Sequence, residues 1–118
     1  MSLAILPSAI HGVGLFSLTS ISKNEKITDY IGEEMTLKEF KERYGSYKEN
    51  CLNTYRMKRL NRIIVAKNYP ENVVNYINES KEPNCILKKR ALYAVRDICA
   101  GEELTISYPK DYKRDWFV

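Results

Sequence analysis

Short β-forming segments separated by turn residues run through most of this sequence, and they restrict its fold more than any other feature. Alternating polar and apolar residues at 26–31 predict a half-buried strand that ends at Gly32. Nine tyrosines, together with many Ile and Val residues, also favour sheet. We therefore predict a mainly β fold with short helices. Further strands are predicted at 62–66, 85–95 and 104–108.

One short helix is predicted by its capping residues. Thr36, followed three residues later by Glu39, has the pattern of a capping box, which marks the first turn of a helix. We expect this helix to run to about Tyr44 and to end at Gly45, because glycine commonly ends helices. An irregular stretch or single helical turn is predicted at 70–78.

Length and charge exclude several classes of protein. The chain has 118 residues, the size of one domain, and we expect residues 1–118 to form a single domain. The net charge is only +4 and the basic stretches are short, which disfavours sequence-specific binding of nucleic acid. No apolar run approaches the roughly 20 residues that span a bilayer, so no membrane partner is expected.

Cysteine and histidine usage disfavours a metal site. The three cysteines, Cys51, Cys85 and Cys99, are widely spaced and form no C-x-x-C pair. His11 is the only histidine, so neither a site with several histidine ligands nor a histidine-based triad is favoured. We expect no metal, no disulfide framework and a reducing, intracellular compartment.

Gly12, Val13 and Gly14 form the first candidate binding motif. A dinucleotide fingerprint would need a third glycine at position 17 and then a helix, whereas Ser17 stands there in a strand-like run. A glycine pair is typical of a plain turn, although its bare backbone also lets a ligand approach closely. Asn78, in an Asn-rich loop, either stabilises a turn or presents its amide to a ligand.

Two adjacent carboxylates, Glu102 and Glu103, precede the last predicted strand. Neighbouring residues of a strand point to opposite faces, so these two side chains are not expected to share one substrate atom. We interpret them as solvated charges of a turn and a strand start.

Four motifs in order resemble those of the SET-domain protein lysine methyltransferases. The resemblance extends from about Ile10 to Tyr112, and in size and layout it is greatest to the minimal viral SET proteins. It implies a SET fold of small curved sheets with a C-terminal pseudoknot, in which the Asn78 segment and the last strand thread together. The motifs are Gly12-x-Gly14, Tyr30-Ile31-Gly32-Glu33, Asn78-x-Ser80 with Pro83-Asn84-Cys85, and Gly101-Glu102-Glu103-Leu104-Thr105-Ile106-Ser107-Tyr108.

The resemblance also implies S-adenosylmethionine as cofactor and a lysine side chain of a protein as substrate. Tyr108 would be the catalytic residue, and Tyr30, Tyr55 and Tyr112 would line the channel for the substrate lysine. The cofactor would be held by His11, Gly12, Val13, Gly14, Asn78, Glu79 and Trp116.

Methyl transfer to an amine suits this composition. It needs neither a metal nor a covalent enzyme intermediate, but the attacking lysine must be neutral although its ordinary pKa is about 10.4. Burial in a tyrosine-lined channel beside a positive sulfonium lowers that pKa. A chain with nine tyrosines and one histidine fits this chemistry better than hydrolysis.

Of two departures from the family pattern, the first leaves the function open and the second agrees with the expected absence of zinc. Glu79 stands where the family usually has histidine, and Lys81 stands where zinc-binding members have cysteine. The first hypothesis is a lysine methyltransferase whose leading substrate is the histone H3 tail, acting in the nucleus or on chromatin. The alternative is a catalytically weak SET module that binds a peptide or partner protein. The domain is also a candidate homodimer, and acidic residues such as Glu33, Glu34 and Glu39 are candidates to attract a basic tail.

Overall fold

The computed structural model describes residues 2–45, 54–57, 62–66 and 72–107, and for residues 54–57 and 66 it describes the backbone alone. Within these ranges the chain forms ten short strands, one α-helix and one 3₁₀ helix, which confirms the predicted mainly β fold. The strands are β1 (Leu3–Pro7), β2 (Val13–Ser17), β3 (Lys26–Asp29), β4 (Gly32–Thr36), β5 (Thr54–Met57), β6 (Arg62–Ala66), β7 (Asn78–Glu79), β8 (Cys85–Lys88), β9 (Ala91–Ala94) and β10 (Glu103–Ile106). The α-helix, α1, is Leu37–Tyr44, and the 3₁₀ helix is Val73–Tyr76.

The strands form three small sheets. The first sheet has the order β1-β2-β10-β7, the second β3-β9-β8 and the third β4-β6-β5. In the first sheet, β10 is antiparallel to β2 but parallel to β7, with Thr105 opposite Asn78. This parallel contact places the Asn78 segment directly beside the C-terminal strand, as the resemblance implies.

One main core joins all three sheets. Leu15 of the first sheet and Leu92 of the second are both fully buried, and Ile64 of the third packs in the same cluster. Val74 of the 3₁₀ helix belongs to this cluster too. Burial of these apolar side chains is the main stabilising contribution, and it holds the short strands in fixed relative positions.

The helix α1 forms as its capping residues predict. The Glu39 backbone N–H donates to Thr36 Oγ1 at 3.1 Å, and the Thr36 N–H donates to Glu39 Oε1 at 3.1 Å. The Glu39 carboxylate accepts from the Thr36 N–H and also from the Thr36 hydroxyl, and these two hydrogen bonds lower the pKa of the Glu39 carboxyl. The helix ends at Tyr44, and Gly45 follows with a φ of 88°. No helix in the described part of the chain has the length and apolar character needed to cross a bilayer.

The prediction that a strand ends at Gly32 is wrong. Strand β3 ends at Asp29, and Gly32 begins β4. The chain leaves the second sheet at Tyr30, whose N–H donates to the carbonyl of Arg90 at 2.8 Å. Gly32 is required instead by close approach to β6, since a Cβ atom there would lie 2.2 Å from the carbonyl oxygen of Val65. Strand β1 was not predicted, because its residues show no clear alternation.

Candidate functional site

The loop between β1 and β2 is folded around the hydroxyl of Ser8. This oxygen accepts hydrogen bonds from the backbone N–H groups of Ile10 at 2.9 Å and His11 at 3.3 Å. The Ser8 N–H donates to the carbonyl of Gly12 at 2.9 Å. Gly12 has a φ of +48°, a conformation that favours glycine, and open space surrounds it. The loop therefore presents the backbone of His11 and Gly12 at the protein surface.

Gly14 differs from Gly12, because here another side chain closely approaches the backbone. A Cβ atom at this position would lie 2.2 Å from Glu103 Oε2 and 3.1 Å from Asn78 Nδ2. The Glu103 side chain thus fills the space that a side chain at position 14 would need. A glycine within a strand often marks such a close approach. Sequence reasoning missed this role of Glu103, because a glycine in a strand indicates a close approach but does not identify the approaching residue.

The amide of Asn78 connects the loop with the C-terminal strand. Its Nδ2 faces four hydrogen-bond acceptors, so its Oδ1 is turned away from the loop. The acceptors are Glu103 Oε2 at 2.9 Å, the carbonyl of Val13 at 3.0 Å, and Ser8 Oγ and the carbonyl of His11, both at 3.2 Å. The structure therefore brings together His11, Val13, Gly14 and Asn78, all of which the sequence predicts at the cofactor.

The interpretation of Glu102 and Glu103 as solvated charges is wrong. Both side chains are half-buried, and the Glu103 carboxylate accepts from Ser8 Oγ at 2.8 and 2.9 Å. Glu102 accepts from the guanidinium of Arg96 and from Asn84 Nδ2, and the Arg96 hydrogen bond is the main cause of its lowered pKa. The two carboxylates do point to different partners, as alternation along a strand predicts.

Glu79 lies beside Asn78 on the exposed side of β7. Its backbone pairs with Ile106, and the next residue, Ser80, donates its N–H to the Ile106 carbonyl at 3.0 Å. The side chain of Glu79 is exposed. The backbone of this segment is therefore fixed by β10 independently of the side chain at position 79.

Tyr30 and Tyr55, which are predicted in the substrate channel, lie outside the loop between β1 and β2, β7 and β10. The Tyr30 side chain is 8% exposed and lies in the main core. Tyr55 is in β5 opposite Ile64, and its side chain is outside the described residues. Tyr108, Tyr112 and Trp116 also lie outside the described residues. Their roles stay predictions.

Asn72 is a buried polar residue that sequence reasoning did not single out. It is fully buried, and its Oδ1 accepts a hydrogen bond from the Ile31 N–H at 3.0 Å. Its Nδ2 donates to Asn75 Oδ1 at 3.2 Å. Asn72 precedes the 3₁₀ helix, where an asparagine normally caps the helix; here its side chain bonds a distant segment instead.

The described ranges contain no group of three or more histidine, cysteine or acidic side chains arranged to bind a metal ion. Among the cysteines, Cys85 is buried, and burial raises the pKa of its thiol to about 12. Because the thiolate is the form that binds metals, Cys85 is a poor ligand at neutral pH.

Comparison with models of known protein families identifies the family of this chain. The family model described as "SET domain" matches residues 12–109. This range includes Gly12 at the end of the loop between β1 and β2, and also Asn78 and Glu103. The chain belongs to the SET-domain family. The SET domain here thus contains the region in which the loop, β7 and β10 meet.

Several curated proteins are similar to this SET domain. A protein of Schizosaccharomyces pombe named "Histone-lysine N-methyltransferase, H3 lysine-4 specific" is 36% identical over 111 residues, covering 86% of this chain and 12% of the relative. A protein of Saccharomyces cerevisiae with the same name is 31% identical over 117 residues, covering 92% and 11%. The Drosophila virilis "Histone-lysine N-methyltransferase trithorax" is 33% identical over 114 residues, covering 88% and 3%. The chain therefore spans a small part of the length of each of these relatives.

Proposed function

We propose that this SET domain transfers a methyl group from S-adenosylmethionine to the side-chain amine of a lysine in the tail of histone H3. The main support is the family match over residues 12–109, together with relatives named as histone-lysine methyltransferases. Two of those names specify lysine 4 of histone H3, so we propose this lysine as the target. A histone substrate implies action in the nucleus, on chromatin.

The described residues fit this cofactor. Open space at Gly12 allows a ligand to approach the backbone of the loop closely. Asn78 turns its Oδ1 away from the loop, where it suits a donor such as the cofactor's ammonium group. The backbone of Glu79 is held in place by β10 beside it. In the proposal, the cofactor contacts His11, Gly12, Val13, Gly14, Asn78, Glu79 and Trp116.

The reaction needs alignment and a dry site. When bound, the cofactor supplies a methyl group on a positively charged sulfur. In the proposal, Tyr108 is the catalytic residue, and Tyr30, Tyr55 and Tyr112 are assigned to the lysine channel because the resemblance implies these roles. Exclusion of water by these side chains favours the neutral amine, which is the nucleophile. Holding two reacting groups in position contributes about 7–11 kcal/mol to reactions of this kind.

The acidic residues near β4 do not support attraction of a basic tail. Glu33 pairs with Arg43 at 2.9 Å, and Glu39 caps α1. Glu34 pairs with Arg90 at 2.8 Å and also with the guanidinium of Arg62. Because each carboxylate is engaged within the domain, we assign the recognition of the tail to other parts of the protein.

A second candidate function is binding of a peptide or partner protein with weak catalysis. The observation that favours it is Glu79, because an exposed carboxylate replaces the imidazole that the family usually has there. The backbone contact at this position is retained through β10, so the substitution affects only what the side chain contributes.

A methyl-transfer assay tests the proposal. The protein is incubated with methyl-labelled S-adenosylmethionine and an H3 tail peptide, or a matched peptide with arginine in place of lysine 4. We expect label only in the first peptide, and a Tyr108→Phe variant should lose turnover far more than cofactor affinity. Cofactor binding with no transfer to any peptide would favour the second candidate instead. Absence of cofactor binding would contradict the proposed methyltransferase activity.

A further inference from the structure

The Glu103 carboxylate is enclosed by polar groups from two distant segments. Ser8 Oγ, 95 positions away in sequence, lies 2.8 Å from Oε1 and 2.9 Å from Oε2. Asn78 Nδ2, 25 positions away, lies 2.9 Å from Oε2. Gly14 provides the space for this arrangement, since any Cβ atom there would collide with the carboxylate. We call Ser8, Asn78 and Glu103 the polar triad.

The negative charge determines where the hydrogens of the polar triad lie. A carboxylate only accepts, so the single hydrogen of the Ser8 hydroxyl points to Glu103. Ser8 Oγ then accepts from the N–H groups of Ile10 and His11. Asn78 Nδ2, 3.2 Å from this oxygen, gives its two hydrogens to its two shorter contacts, Glu103 and the carbonyl of Val13. The loop conformation is thus coupled to the carboxylate through one hydroxyl.

The same charge fixes the orientation of the Asn78 amide. The two shortest contacts of Nδ2 are with Glu103 Oε2 and the carbonyl of Val13, and both of these atoms are acceptors. A reversed amide would place Oδ1 against two acceptors, which repel it. The amide therefore keeps Oδ1 on the side away from Glu103.

We propose that Glu103 is a positioning residue for the cofactor, which orients the Asn78 amide so that Oδ1 accepts a hydrogen bond from the cofactor's α-ammonium group. Through Ser8 it also holds the loop whose backbone borders the cofactor. This inference rests on the proposed cofactor and adds a residue that does not itself contact it. Catalysis by the tyrosines is not affected directly.

A glutamine at position 103 would keep the shape but not the hydrogen-bond pattern. Its Nε2 donates, so facing Ser8 it would meet an oxygen whose lone pairs already accept from Ile10 and His11. Facing Asn78 instead, it would set two donor groups against each other. In either orientation one contact of the polar triad is lost.

The test compares Glu103→Gln with Glu102→Gln, the same chemical change one residue earlier, where the carboxylate contacts Arg96 and Asn84 instead. Calorimetry gives the Kd for S-adenosylmethionine and for S-adenosylhomocysteine, which keeps the ammonium group. We expect Glu103→Gln to weaken both by about tenfold while kcat at saturating cofactor stays within about twofold. Glu102→Gln should change neither Kd by more than about twofold.

Hydrogen exchange of the ligand-free protein tests the polar triad independently of the cofactor. The amides of Ile10 and His11 should exchange faster in Glu103→Ala, which removes the acceptor of the Ser8 hydroxyl in every arrangement, than in Glu102→Ala. If the wild-type protein does not bind S-adenosylmethionine, the proposed function fails, but unchanged exchange at these amides would overturn the polar triad itself. Equal Kd values for Glu103→Gln and Glu102→Gln would also overturn the inference. So would a loss of kcat in Glu103→Gln as large as its loss of affinity.

A second pair of variants serves if Glu103→Gln does not fold. Ser8→Thr keeps the hydroxyl and should keep the wild-type Kd for S-adenosylmethionine. Ser8→Ala removes the hydroxyl and should weaken cofactor binding severalfold, because one charge-assisted hydrogen bond to Glu103 is lost. Equal affinity of these two variants would contradict a positioning role that passes through the hydroxyl.

Discussion

Asn72 Oδ1 accepts a hydrogen bond from the backbone N–H of Ile31 at 3.0 Å, across 41 positions of sequence. Asn72 is fully buried and begins the segment that leads through the 3₁₀ helix to Asn78. Ile31 directly follows Tyr30, which we propose for the lysine channel. This one hydrogen bond therefore joins the segment that leads to Asn78 to the segment that carries Tyr30.

Removing that acceptor should affect both stability and the substrate. In Asn72→Ala the Ile31 N–H loses its partner and a buried space opens, so we expect the free energy of unfolding to fall by about 1–3 kcal/mol. The KM for the peptide should rise as Tyr30 becomes less well positioned. Urea unfolding and steady-state kinetics measure the two effects.

Thr36→Ala is a suitable control for the Asn72 variant. Loss of the helix cap should lower stability by about 0.5–2 kcal/mol without a change in peptide KM, because Phe40 of α1 packs with Met35 and Ile63 in a cluster that is separate from the main core. An Asn72→Ala protein that is as stable as wild type, with unchanged KM, would contradict the coupling.

Gly14→Ala should reduce cofactor affinity together with stability. The added methyl group would displace the end of the Glu103 side chain from Ser8 and Asn78, and losing a hydrogen bond to a charged group costs about 1.5–3 kcal/mol. Calorimetry with S-adenosylhomocysteine and thermal unfolding measure both quantities.

The matched control for this variant is Gly101→Ala. Gly101 has a φ of +86° and open space around it, so alanine there costs about 1–2 kcal/mol through backbone strain alone. We expect its cofactor affinity to stay at the wild-type value. Equal affinity of Gly14→Ala and wild type would show that the close approach to Glu103 is unimportant for binding.

The Glu102–Arg96 pair should make stability depend on pH. The hydrogen bond from Arg96 lowers the pKa of Glu102 below 4.5, so its contribution is present above that value and is lost as pH falls through the folded-state pKa. Because both side chains are partly exposed, we expect the pair to contribute less than about 1 kcal/mol to the free energy of unfolding. Urea unfolding should show wild type more stable than Glu102→Gln at neutral pH, with the difference vanishing in acid. A difference that grows as the pH falls would contradict this assignment.

Glu79→His tests what the carboxylate does beside Asn78. If the exposed carboxylate weakens the site, the imidazole should tighten binding of S-adenosylmethionine, with little change in stability because the backbone is held by Ile106. Calorimetric titration measures the Kd. An equal or weaker affinity would show that Glu79 is not the cause of weak binding.

Local signals predicted local structure. The helix α1 could be predicted with both ends because Thr36 and Glu39 are three residues apart and Gly45 follows directly. The resemblance placed Gly12, Gly14 and Asn78 in one binding region, and the structure brings the loop and Asn78 into contact.

Contacts between distant segments could not be predicted in this way. The role of Gly32 depends on the carbonyl of Val65 in another strand, and the role of Glu103 depends on Ser8 near the other end of the chain. Nothing in the residues around Glu103 distinguishes a solvated carboxylate from one enclosed by partners. Parallel pairing of β7 with β10 is what brings Asn78 to it.

The most direct test of the central claim is calorimetric titration of the purified protein with S-adenosylmethionine, followed by mass spectrometry of H3 tail peptides incubated with both. We predict saturable binding and methylation of a lysine in the peptide, with turnover lost in Tyr108→Phe although the cofactor still binds. A wild-type protein that shows no binding of the cofactor and no methylation of the peptide would contradict the account.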